Sequence, residues 1–424
     1  MGDFSSLDLI SDLPQSIIES ILTRLPIRDA VRTSVLSSKW RYRWATLTHL
    51  VFDEECVTVC NDRALIEHKF INFITRALFL HQGPIHKFQL CTSDLQSCPD
   101  IDQWILFLSR KDIKELVLEL GESEWIRIPS CLFNCKKLTR LELVRCELDP
   151  PPTFKGFLYL KTLNLYQVFG ISDAIESLIS SCPLLENLSL SYSDSSTLNI
   201  RAPNLKYLCL EGEFKDICLE NTPLLVSMSA AMYMTEDIAE HMEQSSVCNF
   251  IKLLGGVPHL ERLIGRIYFT KFLSIGGDPE RLAITYSHLK IIELCQVSFE
   301  DMKEMLVVLR LITNAQNLKE LRISGGSATS NTLAAIEATD LDFWEKEFLS
   351  HCLFERLKVV KMTEMSGVRH EMEFIKFLLE NSPVLEIMSI MPCPFVTDGR
   401  LNMLIELVRF RRASARAEIL FMQG

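Results

Sequence analysis

Leucine residues recur along most of the chain in a six-residue pattern, Leu-x-x-Leu-x-Leu. The pattern is clearest at residues 138–143, 160–165, 185–190 and 205–210. Less regular copies begin at Ile85, Ile113, Leu225, Leu260, Leu289, Leu318, Leu357 and Leu385. In an extended chain the fourth and sixth residues of each copy share one face, and the third and fifth share the other. Each copy therefore predicts a short β-strand with one buried apolar face and one face of mixed polarity.

Apolar residues at helical spacing lie between these predicted strands. Helices are predicted at residues 173–181 and 373–380, and further helices at 236–254 and 341–351 fill two wide intervals of the repeat series. A strand followed by a helix, repeated at this period, is typical of a leucine-rich-repeat solenoid. The predicted fold class is therefore α/β, with an inner parallel sheet and outer helices. A doubly wound α/β domain is the alternative, and it would need longer apolar strands and longer crossover helices.

The first fifty residues predict three short helices rich in apolar side chains. Asp12 can cap the first helix, which has Pro14 in its first turn and ends before Pro26. The second helix follows Pro26, and the third segment carries Trp40 and Trp44 four residues apart. So small a segment can hardly bury this much apolar surface by itself. We therefore expect it to dock on another surface.

The Leu13-Pro14 opening, the Leu25-Pro26 break and the Ser-Ser-Lys-Trp-Arg run that leads to Trp44 resemble a plant F-box, over about residues 7–50. The resemblance implies that this segment binds the Skp-type adaptor of a cullin–RING ubiquitin ligase. The positions that match the adaptor-binding residues of the family are Leu13, Pro14, Ile17, Ile21, Leu22, Leu25, Pro26, Ile27, Ala30, Val31 and Leu36. Trp40 could equally hold the helices together. An ordinary helical subdomain packed on the rest of the chain is the alternative.

The last part of the chain, residues 354–421, resembles the FBD module of plant F-box proteins. The similar runs begin at Phe354, Glu373 and Val408, and Ala415 stands where the family usually has proline. We expect two final repeats and a closing helix at 399–412. The apolar stripe of that helix, which should cover the end of the core, comprises Leu401, Leu404, Leu407 and Val408.

These patterns predict four successive regions. They are an F-box at residues 7–50, a connector helix at 51–84, irregular leucine-rich repeats at 85–353 and the FBD module at 354–421.

Composition and charge narrow the function classes. The chain has 424 residues, 44 Lys and Arg against 55 Asp and Glu, and a net charge of −11. An acidic chain is a poor partner for nucleic acid, and the Arg409–Arg412 cluster is too short to change this expectation. No apolar run is long enough for a membrane span, and the first residues do not resemble a signal peptide. We therefore expect no membrane association and a location in the cytoplasm and/or nucleus.

The potentially reactive residues do not form a recognisable catalytic or metal-binding motif. The 14 cysteines contain no Cys-x-x-Cys pair, and Cys56 with Cys60 and Cys131 with Cys135 lack a second pair at zinc-finger spacing. Free structural thiols are the favoured interpretation. The chain also lacks a glycine-rich phosphate loop, a His-Glu-x-x-His motif and a Gly-x-Ser-x-Gly motif. We expect no cofactor, no metal and no enzymatic activity of its own.

The family resemblance implies a substrate-recognition subunit of a Skp–cullin–F-box ubiquitin ligase. Its partners would be the adaptor, the cullin and RING subunits held through the adaptor, and a protein target of unknown identity. A small-molecule, hormone-like receptor of the same architecture and a scaffold outside any ligase are the alternatives. The candidate target-binding residues are outward strand positions, namely Arg140, Glu142, Thr162, Asn164, Asn187, Ser189, Tyr207, Arg262, Glu293, Glu320 and Arg322. Their mixed charges do not favour an anionic small molecule.

Overall fold

A computed structural model describes residues 13–56, 63–93, 95, 98–121, 125–168, 172–233, 253–275, 285–326, 353–394 and 399–422. The chain divides into two compact units, Met1–Tyr192 and Ser193–Gly424. No helix within the described ranges is both long and apolar enough to cross a membrane. The predicted helices at 236–254 and 341–351 lie outside these ranges, apart from Leu253 and Leu254.

The first unit begins with two of the three predicted F-box helices and continues into a parallel sheet. Its helices are α1 (Gln15–Leu22), α2 (Ile27–Arg32), α3 (Arg63–Leu80), α4 (Ile101–Leu108) and α5 (Ser172–Ser180). Its strands are β1 (His49–Phe52), β2 (Lys87–Thr92), β3 (Glu115–Leu120), β4 (Ile126–Arg127), β5 (Arg140–Val144), β6 (Cys146–Glu147) and β7 (Thr162–Tyr166), followed by the start of β8 (Asn187–Arg201). The sheet runs in the order β1-β2-β3-β5-β7-β8, and β4 and β6 pair separately.

The second unit repeats the alternation of strand and helix. Its further strands are β9 (Tyr207–Glu220), β10 (Ser227–Met232), β11 (Arg262–Gly265), β12 (Ile291–Val297), β13 (Glu320–Gly325), β14 (Val359–Met365), β15 (Ile387–Pro392) and β16 (Glu418–Phe421). Its described helices of six residues or more are α6 (Phe269–Ser274), α7 (Met302–Thr313), α8 (Arg369–Asn381) and α9 (Gly399–Arg409). Strands β9 to β16 pair in parallel in sequence order.

The strand register places equivalent leucines of successive repeats side by side. In the first unit Leu141, Leu163 and Leu188 are successive partners, and all three are buried. In the second unit the same position is held by the buried side chains of Leu208, Met228, Leu263, Ile292 and Leu321. The predicted repeat register is confirmed within each unit. That both units form one curved solenoid stays a prediction.

Two backbone features recur from repeat to repeat and hold this register. The carbonyl of Lys161 accepts hydrogen bonds from the amides of Glu186 and Asn187, both at 2.9 Å, and other repeats show the same forked bond. Seven residues after the first leucine of a copy, the chain adopts a left-handed conformation, as at Gln167 (φ 50°) and Glu364 (φ 56°). Since only a few residues adopt positive φ in a folded chain, this recurrence marks a repeated bend of the backbone at the end of the strand.

Two buried glutamates join the first turns of their helices to neighbouring segments, which are helix α6 for one glutamate and the preceding loop for the other. Glu304, the third residue of α7, accepts a hydrogen bond from Thr270 Oγ1 at 2.8 Å. Glu371, the third residue of α8, accepts from Ser366 Oγ at 2.9 Å and from the amide of Gly367 at 2.6 Å. Burial raises the pKa of both carboxyl groups. No motif in the sequence marks either residue as buried.

The C-terminal helix packs on a different face from the predicted one. The buried side chains of α9 are Met403 and Leu407, whereas Leu401, Leu404 and Val408 are exposed. Positions 403 and 407 are one helical turn apart and therefore share a face. The prediction that the stripe of Leu401, Leu404, Leu407 and Val408 covers the core is wrong except at Leu407.

The segment with the two tryptophans is not an α-helix. It forms turns and a 3-10 helix at Arg43–Thr46, because Tyr42 takes a left-handed conformation with φ 63° that interrupts helical bonding. Trp40 and Trp44 are nevertheless both buried. The predicted connector region contains α3, but it also takes in the end of β1, which pairs with β2.

Candidate functional site

Each Leu-Pro pair of the F-box segment lies immediately before a helix. The carbonyl of Pro14 accepts hydrogen bonds from the amides of Ile17 at 3.0 Å and Ile18 at 3.2 Å. The carbonyl of Pro26 accepts in the same way from Asp29 and Ala30. Because proline fixes its own φ, each pair restricts the backbone conformation at the point where the following helix begins. Pro26 thus starts α2, and the predicted capping residue Asp12 lies outside the described residues.

One side of these helices packs on the first unit. The buried side chains are Ile18, Leu22, Ile27, Ala30, Trp40 and Trp44. Helix α2 packs against β1 and the 3-10 helix Glu54–Cys56, and Arg28 Nη1 donates a hydrogen bond to the carbonyl of Glu55 at 3.2 Å. Both tryptophans therefore contribute to the internal packing of the F-box.

The same segment exposes large apolar side chains, two on α1 and two shortly after α2. Ile17 is 45% exposed, Leu36 is 56% exposed and Val35 is 85% exposed, and Ile21 lies exposed on α1 with Ile17. We call these four residues the F-box apolar surface. Exposed clusters of large apolar side chains in soluble domains mark protein interaction sites. Val35 was missing from the predicted adaptor-binding set, although its apolar character on the second helix was visible in the sequence.

The eleven predicted adaptor-binding residues divide into three groups by exposure. Pro14, Ile17, Ile21, Pro26 and Leu36 are exposed, and Leu13, Leu25 and Val31 are half-buried. The side chains of Leu22, Ile27 and Ala30 are buried against the chain itself. These three support the shape of the surface from behind, whereas the other eight are accessible to a partner.

The predicted target-binding residues of the first unit form two rows on the open face of its sheet. Arg140, Thr162 and Asn187 are successive register partners, and Glu142, Asn164 and Ser189 form the next row. Polar contacts join the rows: Arg140 Nη2 lies 2.7 Å from Glu142 Oε2, and Asn164 Nδ2 donates to the same oxygen at 3.3 Å. The open face is therefore polar and internally hydrogen-bonded.

In the second unit the open face carries a run of alternating charges. Glu293 Oε2 lies 3.8 Å from Arg262 Nη2 and 3.4 Å from Arg322 Nη1. Glu320 Oε1 lies 2.8 Å from Arg322 Nε and 3.3 Å from Lys361 Nζ. We call these five residues the charge row. The hydrogen bond from Arg322 holds the pKa of the Glu320 carboxyl below its ordinary value.

Tyr207 belongs to the same face as the charge row. It occupies β9 at the register position that leads through Ser227 to Arg262, and its side chain is exposed. Sequence reasoning placed all eleven target-binding candidates on one face of their strands, which the structure reproduces. Lys361 on β14 is the register partner of Arg322 and lies on the same face. The alternation along β14 would have allowed it to be included among the target-binding candidates.

The cysteines are consistent with structural roles. Cys56, Cys98, Cys135, Cys146 and Cys182 are buried free thiols. Burial raises the pKa of the Cys98 and Cys135 thiols to about 12, which makes thiolate chemistry unfavourable there. Cys60 lies outside the described residues. Within the described ranges no cluster of three His, Cys, Asp or Glu residues could hold a metal ion.

Comparisons with known proteins match the whole length of the chain. The F-box domain family matches residues 10–50, the family described as "FBD-associated F-box protein At5g56370, LRR repeats" matches residues 101–323, and the FBD family matches residues 346–390.

Among curated relatives, the F-box/FBD/LRR-repeat protein At1g13570 of Arabidopsis thaliana is 60% identical over 423 residues, which covers 100% of both chains. The FBD-associated F-box protein At5g56370 of the same plant is 27% identical and covers 98% of this chain and 100% of its own. The F-box/FBD/LRR-repeat protein At3g26920, also from Arabidopsis thaliana, is 26% identical, with 99% and 97% covered. This chain therefore belongs to the F-box/FBD/LRR-repeat protein family.

Proposed function

We propose that this protein is the substrate-recognition subunit of a Skp–cullin–F-box ubiquitin ligase. The observation that carries the proposal is the two-sided F-box. Its helices are anchored to the first unit through Leu22, Trp40 and Trp44, while Ile17, Val35 and Leu36 are left exposed. An apolar surface held on a fixed support fits a stable protein partner.

The partner proposed for this surface is the Skp-type adaptor. The membership of the chain in an F-box family supports this choice. The cullin and RING subunits would be held through the adaptor. The chain itself would be non-catalytic: it would raise the effective concentration of a target near the ubiquitin-carrying enzyme. Its place of action would be the cytoplasm or the nucleus, and a fluorescent fusion in plant cells would test this.

The target would bind to an open sheet face, with the charge row as its most distinctive feature. Arg322 there contacts both Glu293 and Glu320, so positive and negative groups are already paired within the row. A protein surface with its own alternating charges can exchange these contacts for intermolecular ones. A small anionic ligand would instead need unpaired cations that converge, which the charge row does not provide.

The test of adaptor binding uses exposed residues, so that the fold is not disturbed. The double variant Ile17→Asp with Leu36→Asp places two charges in the F-box apolar surface. We expect co-purification of the adaptor and cullin from plant cells to fall below about a tenth of the wild-type amount, since buried unpaired charges cost several kcal/mol. The matched control is Leu224→Asp with Val384→Asp, two exposed apolar turn residues of the second unit.

The outcomes separate the proposal from its alternatives. Loss of the adaptor in the F-box variant but not in the control supports a ligase subunit. Undiminished adaptor in the F-box variant would contradict the assigned surface. Absence of the adaptor and cullin from the wild-type complex would favour a scaffold outside any ligase.

A further inference from the structure

The C-terminal end of the second unit leaves a strand edge unpaired among the described residues. Strand β16 pairs with β15 and has no second strand neighbour in the described ranges. The amides of Glu418 and Met422 donate to the carbonyls of Glu386 and Ile390, both at 2.9 Å. Because backbone groups alternate in direction along a strand, the amide and carbonyl groups of Ile419 and Phe421 point to the open edge.

The apolar core is also incompletely covered at this end. Ile419 and Phe421 are half-buried, whereas their register partners Met388 and Ile390 are fully buried. One further strand beside β16 would place its own side chains next to Ile419 and Phe421 and would extend the buried column.

Helix α9, the last described helix of the same unit, carries a second apolar face. Its buried side is formed by Met403 and Leu407, but Val408 is 71% exposed and Leu401 is 67% exposed. Leu404 and Ile405 are exposed as well, and all four lie within about one-third of the helix circumference. We call Leu401, Leu404, Ile405 and Val408 the outer face of α9.

Positive charge is concentrated between α9 and β16, in a chain whose net charge is −11. Arg409, Arg411 and Arg416 are exposed there, and within the described part of the chain none of them forms an ion pair. Arg412 is exposed too, and its Nη1 donates a hydrogen bond to the carbonyl of Ala417 at 3.2 Å. The local charge therefore favours a negatively charged partner.

We propose that this end of the second unit is a docking site for an extended acidic segment of a partner protein, which adds to β16 as a further strand. Strand addition satisfies the open backbone groups of Ile419 and Phe421, and alternate apolar residues of the segment cover the exposed core. Acidic residues of the segment pair with Arg409, Arg411 and Arg416. A second copy of this chain is a poor occupant, because symmetric pairing of two β16 edges would bring two arginine clusters together.

The first experiment measures binding of a fluorescent peptide to the full chain by anisotropy. The probe alternates Glu and Val over about eight residues, the length of an ordinary strand, and the control probe has Lys in place of Glu. We expect the Glu-Val peptide to bind and the Lys-Val peptide not to bind. Raising the salt concentration from about 0.05 M to 0.5 M should weaken binding, because screening shortens the range of the arginine charges.

Variants assign the binding to this surface. Arg409→Glu with Arg411→Glu should weaken peptide binding by about tenfold or more, since two attractive contacts become repulsive. The matched control, Arg110→Glu with Arg201→Glu, reverses two exposed arginines elsewhere. Val408→Ser should also weaken binding, whereas Leu158→Ser, at another exposed apolar residue, should not.

Hydrogen exchange tests the strand addition itself. Peptide binding should slow exchange of the Ile419 and Phe421 amides, while the Glu418 amide is already protected by its bond to Glu386. The proposal would be overturned if the Glu-Val peptide failed to bind, if both double variants had equal effects, or if the peptide bound without this protection.

A wild-type dimer that Val408→Ser disrupts would identify a second copy as the occupant instead. Tighter binding of a single-stranded oligonucleotide than of the peptide would likewise overturn it. None of these measurements involves the adaptor.

Discussion

Met403 of α9 occupies the space that Gly367 leaves open. A Cβ atom at position 367 would lie 2.6 Å from Met403 Cγ and 2.8 Å from Met403 Sδ. Gly367 also has a φ of +80°, in the region that side chains with a Cβ rarely adopt. The loop before α8 thus packs against the buried side of α9, and the absence of a side chain at Gly367 leaves room for Met403 to face inward.

Gly367→Ala should therefore destabilise the second unit. The backbone strain and the overlap with Met403 together should cost about 1–3 kcal/mol of unfolding free energy, measured by urea unfolding. Adding Met403→Ala to Gly367→Ala should make the two losses less than additive, because the overlap disappears and only the strain remains. The control is Gly326→Ala, where an added Cβ would meet its nearest neighbour at 3.4 Å and no positive φ applies. Equal losses for Gly367→Ala and Gly326→Ala would contradict this account.

The register of β13 can be tested at two adjacent residues. Leu321 is fully buried, and Arg322 points to the open face and belongs to the charge row. Leu321→Ala should cost about 2–5 kcal/mol of unfolding free energy, because it leaves a cavity in the core. Arg322→Ala should cost less than about 1 kcal/mol, because its ion pairs lie at the surface, where solvent screens them and no cavity is left. The reverse order would mean that the strand is shifted by one residue.

The repeat pattern was sufficient to predict most of the strands and their faces. Leu141, Leu188 and Leu321 were placed correctly, because alternation along a strand depends only on spacing within the repeat. The side of a helix that docks was harder to predict. On α9 both Leu401 and Leu407 are apolar, but the buried face is that of Leu407 and Met403, and Met403 lies beside Gly367 of the preceding loop.

Two features that the sequence pattern does not show share a physical cause. Trp40 and Trp44 have helical spacing, yet a left-handed Tyr42 lets turns bury the same pair of side chains. Glu371 is charged, yet donors from Ser366 and Gly367 in the preceding loop satisfy its carboxylate inside the core. Both outcomes depend on local backbone geometry, which residue periodicity does not encode.

Glu371 should make stability depend on pH. Burial raises the pKa of its carboxyl in the folded chain, and the hydrogen bonds from Gly367 and Ser366 only partly oppose this. The unfolded carboxyl titrates near about 4.3, so the folded protein binds the proton more tightly. The stabilising contribution of Glu371 is complete at pH values below the pKa of its carboxyl in the unfolded chain. It is lost as pH rises through the pKa of the same carboxyl in the folded chain.

The measurement compares urea unfolding of the wild type and Glu371→Gln over a series of pH values. The unfolding free energy of the wild type minus that of the variant should fall as pH rises above about 4. Glu380→Gln, on the same helix at a residue that is not buried, is the control. A difference that stays flat, or that rises with pH, would contradict the assigned direction of the pKa shift.

The two faces of α9 predict opposite results for two leucines six residues apart. Leu407 is buried with Met403, so Leu407→Ala should remove about 2–5 kcal/mol from the unfolding free energy of the second unit. Leu401 lies on the outer face of α9, and Leu401→Ala should change that free energy by less than about 0.5 kcal/mol. Thermal and urea unfolding of the two variants measure this directly. A large loss from Leu401→Ala would mean that the outer face is covered within the chain, and α9 would then be a closing helix whose outer face cannot receive a partner.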